Sequence, residues 1–464
     1  MNRDLLSQLP QHRNIRVIPN SLKGQEIRVR RARAQRDVLR VFTVLASVLL
    51  LILAVQRMES GTASASEPPL AMAGARPLPA KLSSLAISSL VTPKSEINWP
   101  AKLEAVEITL KEKQSVHLSA IPKLGSVYRH SFAGRSASGS LVTFTIDPAL
   151  QRVTDGLIKR SSAPHVAIVA LEPFTGRILA LSERSKLVQN LVQHDGFPAA
   201  SIFKVVTTAA GLEAASLNPD QKIYFHGGTY TLNQWNYLPN HKKDRRFLSF
   251  SEALGISCNP VFSRIALKYL EPYHLRNYAR LFGFNQDLHA DFALDASVAS
   301  VPTNSYELGR TAAGFGAVTL SPIHAATIMA GIANGGFLPR PALVEQVIDR
   351  QGALLYQREP QMLRRILHTP AAADLLQMLV STTTSGTSKR EFYLRGRRRL
   401  AGIDVAAKTG TLRGTNPAGI NHWFIAAAPL YKPRIALAVI VVDQRTPNLS
   451  AARIGRMVLE EYLL

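Results

Sequence analysis

Two pairs of apolar runs, far apart in the chain, set the architecture it must adopt. HVAIVALEP (165–173) and GRILALS (176–182) flank a turn around Phe174 to Gly176, which is a hairpin signal; HWFIAAAP (422–429) and RIALAVIVVD (434–443) form a second such pair. The sequence between them is mostly helical in pattern, including SIFKVVTTAAGLEAAS, PVFSRIALKYL and SPIHAATIMAGIAN, and SAARIGRMVLEEYLL closes the chain as an amphipathic helix. Strands at both ends with helices between them predict one mixed α/β (α+β) domain whose sheet joins N- and C-terminal strands. LVTFTID alternates as a strand and DPALQRVTDGLIKR has helical spacing, so this domain is expected over residues 141–464.

The segment VLRVFTVLASVLLLILAV, Val38 to Val55, is the one stretch long and apolar enough to span a membrane. Its single charge, Arg40, lies close enough to the end to snorkel. Many arginines and lysines precede it, whereas Arg57 and Glu59 are the first charges beyond it. The positive-inside rule then predicts a basic cytoplasmic tail over 1–37, a transmembrane helix over 38–56, and everything later outside the cytoplasmic membrane. A cleaved signal peptide is the competing reading, because GTASAS offers small residues for cleavage; the long leader and the intervening charges oppose it. Residues 57–100, rich in Ser, Ala, Pro and Gly, read as a flexible linker. Residues 101–140, with EAVEITL and SVHLSAI as short strands, read as a small pedestal or extended segment.

The net charge of +23 raises anionic partners. Nucleic acid is not expected, because the basic residues are not interleaved with aromatics as a stacking platform requires. The lone cysteine, Cys258, can make neither an internal disulfide nor a cysteine-based metal site, and no metal or cofactor is expected. The run Arg395, Arg397, Arg398 and Arg399 reads first as a solvated loop, with attraction for acidic wall components as the alternative.

Ser201 and Lys204, three apart, share one face of a helix, and no charge follows until Glu213. A lysine on so apolar a helix has a depressed pKa and can take a proton from a serine hydroxyl. Alone, the pair reads first as a helix start capped by Ser201, with Lys204 snorkelling to solvent. Ser257, Cys258 and Asn259 form Ser-x-Asn between two helical stretches, with Pro260 expected at the first position of the second. Another Ser-x-Asn, Ser216 to Asn218, reads as the turn ending the Ser201 helix. Lys408, Thr409, Gly410 and Thr411 lie on an apparent edge strand, where Gly410 allows close backbone approach. Tyr230, Trp235 and Tyr237 are possible cleft aromatics, or core residues.

SxxK, SxN and KTG in this order are the signature of the penicillin-recognising serine enzymes. The chain from about Thr145 onward resembles the transpeptidase domain of a short, class B-like penicillin-binding protein. TIDPALQ resembles the opening segment of such domains; VTLSPIHAATIMAGIANGGFLPRPALVEQVIDRQG and the strands after KTG also match. The resemblance implies an antiparallel five-stranded sheet flanked by helices and a D,D-transpeptidase that cross-links peptidoglycan stem peptides ending in D-Ala-D-Ala. It implies Ser201 as nucleophile, Lys204 as its base, Ser257 as proton carrier to the leaving amine and Lys408 as a source of positive potential. It further implies Asn259 on a substrate amide, Thr409 and Thr411 on the terminal carboxylate, and backbone N–H groups of Ser201 and Thr411 as oxyanion hole. β-Lactams would acylate the same serine, and the resemblance allows a partner glycosyltransferase; the stretch between Val55 and Thr145 leaves no room for a glycosyltransferase domain, nor for the usual large N-terminal domain of monofunctional transpeptidases. AAS before the nucleophile departs from the more common Gly-Ser. D,D-carboxypeptidase, β-lactamase, and non-catalytic sensor or scaffold are the alternatives.

Overall fold

The computed structural model describes residues 108–111, 115–118, 127–128, 131–136 and 138–464. The expected tail, membrane helix and linker lie outside them. Among the described residues no helix is long and apolar enough to cross a membrane.

The apolar runs become the spine of the molecule. Strands β3 (His165–Leu171) and β4 (Ile178–Arg184) form the first hairpin; β7 (Ala406–Thr415), β8 (Ala418–Ala428) and β9 (Ile435–Asp443) form a meander. They join in one antiparallel five-stranded sheet in the order β7-β8-β9-β3-β4. The N- and C-terminal halves meet where β9 pairs with β3, Val439 opposite Ile168. Every residue of β3 is buried, and every residue of β9 up to Val442, because helices cover both faces. A strand buried on both sides reads as a continuous apolar run, not an alternating one. Each large aliphatic side chain so buried contributes roughly 1.5–3 kcal/mol.

Val166, Ile168, Phe424, Val439 and Val441 face α1 (Pro148–Arg160) and α7 (Ala451–Leu463). Val169, Ile425, Ile440 and Val442 face the larger core. There α5 (Pro322–Ala333), buried at all of its positions, lies against β3, β8 and β9. The TIDPALQ segment has a physical job: Asp147 caps α1 by accepting from Ala149 N at 2.8 Å, and Pro148 starts the helix. Gln151 then ties α1 to β4 through both ends of its amide, donating to Leu181 O at 2.6 Å and accepting from Leu181 N at 2.9 Å.

A second five-stranded sheet lies beside this core. It comprises β1 (Ser131–Arg135), β2 (Leu141–Phe144), β5 (Val344–Ile348), β6 (Leu354–Gln357) and the short strand Val127–Tyr128. The β1–β2 hairpin spans the expected 140/141 boundary, with Ala133 opposite Thr143. Ile108–Lys111 and Ser115–Leu118 form the two short strands expected there.

Candidate active site

The site is assembled on one buried helix, the turn before it and the edge of the main sheet. Ser201 lies in a 3-10 turn, Ala200–Phe203, that runs directly into α2 (Lys204–Glu213). VVTTAAGL carries no charge, so Lys204 to Leu212 are all buried, and the Lys204 side chain is dragged inside with them. Its Nζ donates to Ser201 Oγ at 2.8 Å, to Asn259 Oδ1 at 2.7 Å and to the Ala313 carbonyl. Burial drives its pKa well below the usual lysine value, the neighbouring Lys408 charge adds to this, and Cys258 opposes it. Once Lys204 is neutral, the 2.8 Å contact lets the Ser201 hydroxyl donate to Nζ, which is the geometry of general-base activation.

Ser257 sits between α3 (Phe250–Gly255) and α4 (Asn259–Lys268), in left-handed backbone at φ 61. Lys408 Nζ donates to its Oγ at 2.9 Å. Lys408 is fully buried on β7, and burial pushes its pKa down to about 7. Pro260 is at the second position of α4, one later than expected, because Asn259 itself takes the first.

The Ser201 segment is clamped to the sheet. Trp423 Nε1 donates to Pro198 O at 2.9 Å, and Ala199 N donates to Val318 O at 2.9 Å. A Cβ on Gly410 would lie 3.3 Å from Ala200 Cβ and 3.4 Å from Ser201 N, so β7 rests directly on the Ser201 turn. Thr409 and Thr411 project to the opposite side of β7 from Lys408; the Thr409 hydroxyl meets Thr387 Oγ1 at 2.5 Å, and Thr411 is exposed. Ser201, Lys204, Ser257, Asn259 and Lys408 are thus brought together, with Gly410 against the Ser201 turn, while Thr409 and Thr411 lie on the same strand and face away from Lys408. Ser216 to Asn218 does not join them: Asn218 Oδ1 accepts from Asp220 N at 2.8 Å in a turn after α2.

A sequence profile described as "Penicillin binding protein transpeptidase domain" matches residues 166–460, well over half of the chain. The chain belongs to that family. Peptidoglycan D,D-transpeptidase PbpA of Mycobacterium tuberculosis is 30% identical over 376 residues, covering 72% of this chain and 74% of that protein. The crystal structure of PBPA from the same organism superposes with a TM-score of 0.59 at 28% identity, over 70% of this chain and 81% of that one. A penicillin G acyl-enzyme complex of penicillin-binding protein A from M. tuberculosis matches at 0.57 and 28% identity, over 71% of this chain and 82% of that one.

Sequence reasoning missed several groups around this site, because they are backbone carbonyls or buried side chains far from the motifs. Asn259 Nδ2 donates to Tyr230 O at 2.5 Å and Asn259 N to Thr229 O at 2.8 Å, which orients Oδ1 toward Lys204. The loop supplying those carbonyls is held by a buried cluster in which Arg264, from α4, donates to Asn236 O at 2.8 Å and to Asp244 Oδ1 at 3.2 Å. Asp244 also pairs with His226 at 2.5 Å. Tyr230 and Trp235 are exposed on the same loop, while Tyr237 packs edge-on against Tyr306; none of the three is buried core.

Ala200, directly before Ser201, has φ 51. That conformation costs an alanine roughly 1–2 kcal/mol and glycine nothing, which accounts for the departure from Gly-Ser being felt in the backbone. Gly314 makes it possible: a Cβ there would sit 2.1 Å from Ala200 O. Gly314→Ala is expected to displace the Ser201 turn and slow acylation by about 10²-fold, the order expected for an ångström-scale misplacement. Gly352 has the same φ of +92 but no atom within 4 Å of an added Cβ. Gly352→Ala should therefore lower the melting temperature yet leave penicillin acylation unchanged; stopped-flow acylation of both variants makes the comparison.

Proposed function

We propose that this penicillin-binding transpeptidase cross-links peptidoglycan stem peptides through an acyl-enzyme on Ser201. One observation carries the reading: the Lys204 amine, fully buried and depressed in pKa, lies 2.8 Å from the Ser201 hydroxyl. Ser201 Oγ attacks the carbonyl of the D-Ala-D-Ala bond as Lys204 takes its proton. The Ser201 and Thr411 N–H groups stabilise the developing oxyanion; one such donor is typically worth about 3 kcal/mol. Ser257, held by Lys408, passes a proton to the departing D-Ala amine. Lys408, Thr409 and Thr411 receive its carboxylate, and Asn259 holds a substrate amide. An amine from a neighbouring stem peptide then takes the acyl group.

The same reading places residues 1–37 in the cytoplasm, 38–56 in the cytoplasmic membrane as a single-pass anchor, and 57–100 as linker. Residues 101–140 are a small pedestal or extended segment whose strand Ser131–Arg135 pairs with the domain, and 141–464 work outside the membrane, where a partner glycosyltransferase would supply glycan strands. The basic flank of the Val38–Val55 run supports this orientation.

Among the described residues no carboxylate bonds to Ser201, Lys204 or Ser257. A β-lactamase on this fold needs a base for deacylation, so the lifetime of the acyl-enzyme separates the two readings. Fluorescent penicillin should label the full-length protein, and the adduct should persist far beyond the time of mixing. Clearance within seconds, followed by gel fluorescence, would instead indicate β-lactamase turnover.

A further inference from the structure

Beneath the loop that supplies the Thr229 and Tyr230 carbonyls lies a buried polar cluster that takes no part in the chemistry proposed above. The loop joins two short paired strands, Lys222–Phe225 and Arg246–Ser249. Arg264 is 2% exposed and Asn236 is fully buried. Arg264 donates to Asn236 O and to Asp244 Oδ1, and His226, paired with Asp244, donates from Nε2 to Trp235 O at 2.8 Å. The Asn236 side chain carries this hold along the loop: Nδ2 donates to Thr231 O at 3.1 Å, and Oδ1 accepts from Asn233 N at 2.8 Å. Tyr230, directly before Thr231, is the residue whose carbonyl receives Asn259 Nδ2. Helix α4 thus grips the loop through Asn259 and Arg264, and Ser263 Oγ adds a bond to Tyr237 O at 2.9 Å.

A buried ion pair is a weak source of stability, because desolvation offsets its attraction, and Arg264 Nε has no hydrogen-bond partner among the described residues. What the cluster fixes is position, and Asn259 is the residue for which position matters. An amide presents a donor at one end and an acceptor of nearly the same shape at the other. A protonated lysine only donates and would hold Oδ1 toward itself. Burial depresses the Lys204 pKa, and a neutral amine accepts as well as donates, so Lys204 does not by itself tell the two ends apart. The Tyr230 carbonyl does, because it only accepts. With one Nδ2 hydrogen on Tyr230 O, Oδ1 faces Lys204 and the second hydrogen is left for a substrate carbonyl.

We infer that Arg264, Asp244 and His226 are positioning residues for acylation: by fixing the Tyr230 carbonyl they keep Asn259 turned to receive the amide carbonyl beside the reacting bond. The inference rests on the Ser201 acyl-enzyme and on the contact of Asn259 with a substrate amide, both proposed above. It makes the cluster matter for acylating agents that carry that amide, and not for those that lack it.

The test compares two β-lactams on the full-length protein. Benzylpenicillin carries an acylamino group beside the lactam; penicillanic acid has the same bicycle and carboxylate without it. Acylation rates are followed by intact-mass spectrometry, and the reading is their ratio. A smaller fraction of folded protein lowers both rates alike and leaves the ratio unchanged. Arg264→Lys keeps a charge beside Asp244 but gives up the second nitrogen that reaches Asn236 O. It should lower the benzylpenicillin-to-penicillanic acid ratio about three- to tenfold, the size of one hydrogen bond. Asp244→Asn has the shape of the carboxylate without its charge, should move the ratio the same way, and decides the matter where Arg264→Lys does not fold. Arg456 is the control, a buried arginine paired with the Glu460 carboxylate on α7. Arg456→Lys should keep the wild-type ratio. A wild-type ratio in Arg264→Lys and Asp244→Asn, or an equal fall in Arg456→Lys, would overturn the inference alone. Absence of any penicillin adduct on the wild type would overturn the Ser201 reading and this inference with it.

Discussion

Ser201→Ala is expected to abolish covalent labelling by penicillin and to lower cross-linking by at least about 10⁴-fold, because a nucleophile that works as a unit with its base leaves little behind when deleted. The fold should survive. Ser201 is only part-buried, and the turn that holds it is fixed by Trp423, Gly410 and Gly314, not by its hydroxyl. A circular dichroism melt close to wild type, with no adduct by intact-mass spectrometry, is the predicted pair of results. Labelling that persists in Ser201→Ala would move the nucleophile elsewhere.

Lys204→Met is the second large effect. It leaves the nucleophile in place and removes its base, and should slow acylation by about 10²–10⁴-fold. The pH profile gives a sharper reading than the rate. Lys204 acts as a base only when unprotonated, so acylation rises with pH through its depressed pKa. Lys408 supplies positive charge only when protonated, and its pKa is about 7, so the rate falls as pH climbs through that value. The product is a bell with its alkaline limb near neutrality. Because the Lys408 charge helps depress Lys204, Lys408→Gln should shift the acid limb to higher pH while lowering the maximum. An acid limb that stays in place would show that the two lysines do not couple.

The main sheet was legible in the sequence because its central strands are buried on both faces. HVAIVAL and IALAVIVV have no other way to be soluble in a folded chain, and their pairing follows from closing the sheet. The second sheet was hidden for the opposite reason. Its strands are two to five residues long and drawn from positions about two hundred residues apart, as in the pairing of Val347 with Val142. Such short, half-buried strands carry too little periodicity to announce a partner. The site divides in the same way. Side chains proposed to do chemistry at fixed spacing, Ser201 with Lys204 and Ser257 with Asn259, could be singled out from order alone. The Ala313 and Tyr230 carbonyls that aim them have no residue-specific signal, since every residue has a carbonyl. Only glycine could have hinted at them: Gly314 is required where the chain passes within 2.1 Å of where a side chain would begin. The left-handed backbone at Ala200 was invisible altogether, because alanine is the wrong residue to predict it.

Incubation of the full-length protein with pentapeptide-bearing glycan strands, followed by muramidase digestion and mass analysis of the fragments, tests the central claim most directly. The account predicts cross-linked dimers, each formed with loss of one D-alanine, absent after pre-treatment with penicillin. Tetrapeptide monomers alone would mean that water is the acceptor and would contradict transpeptidation.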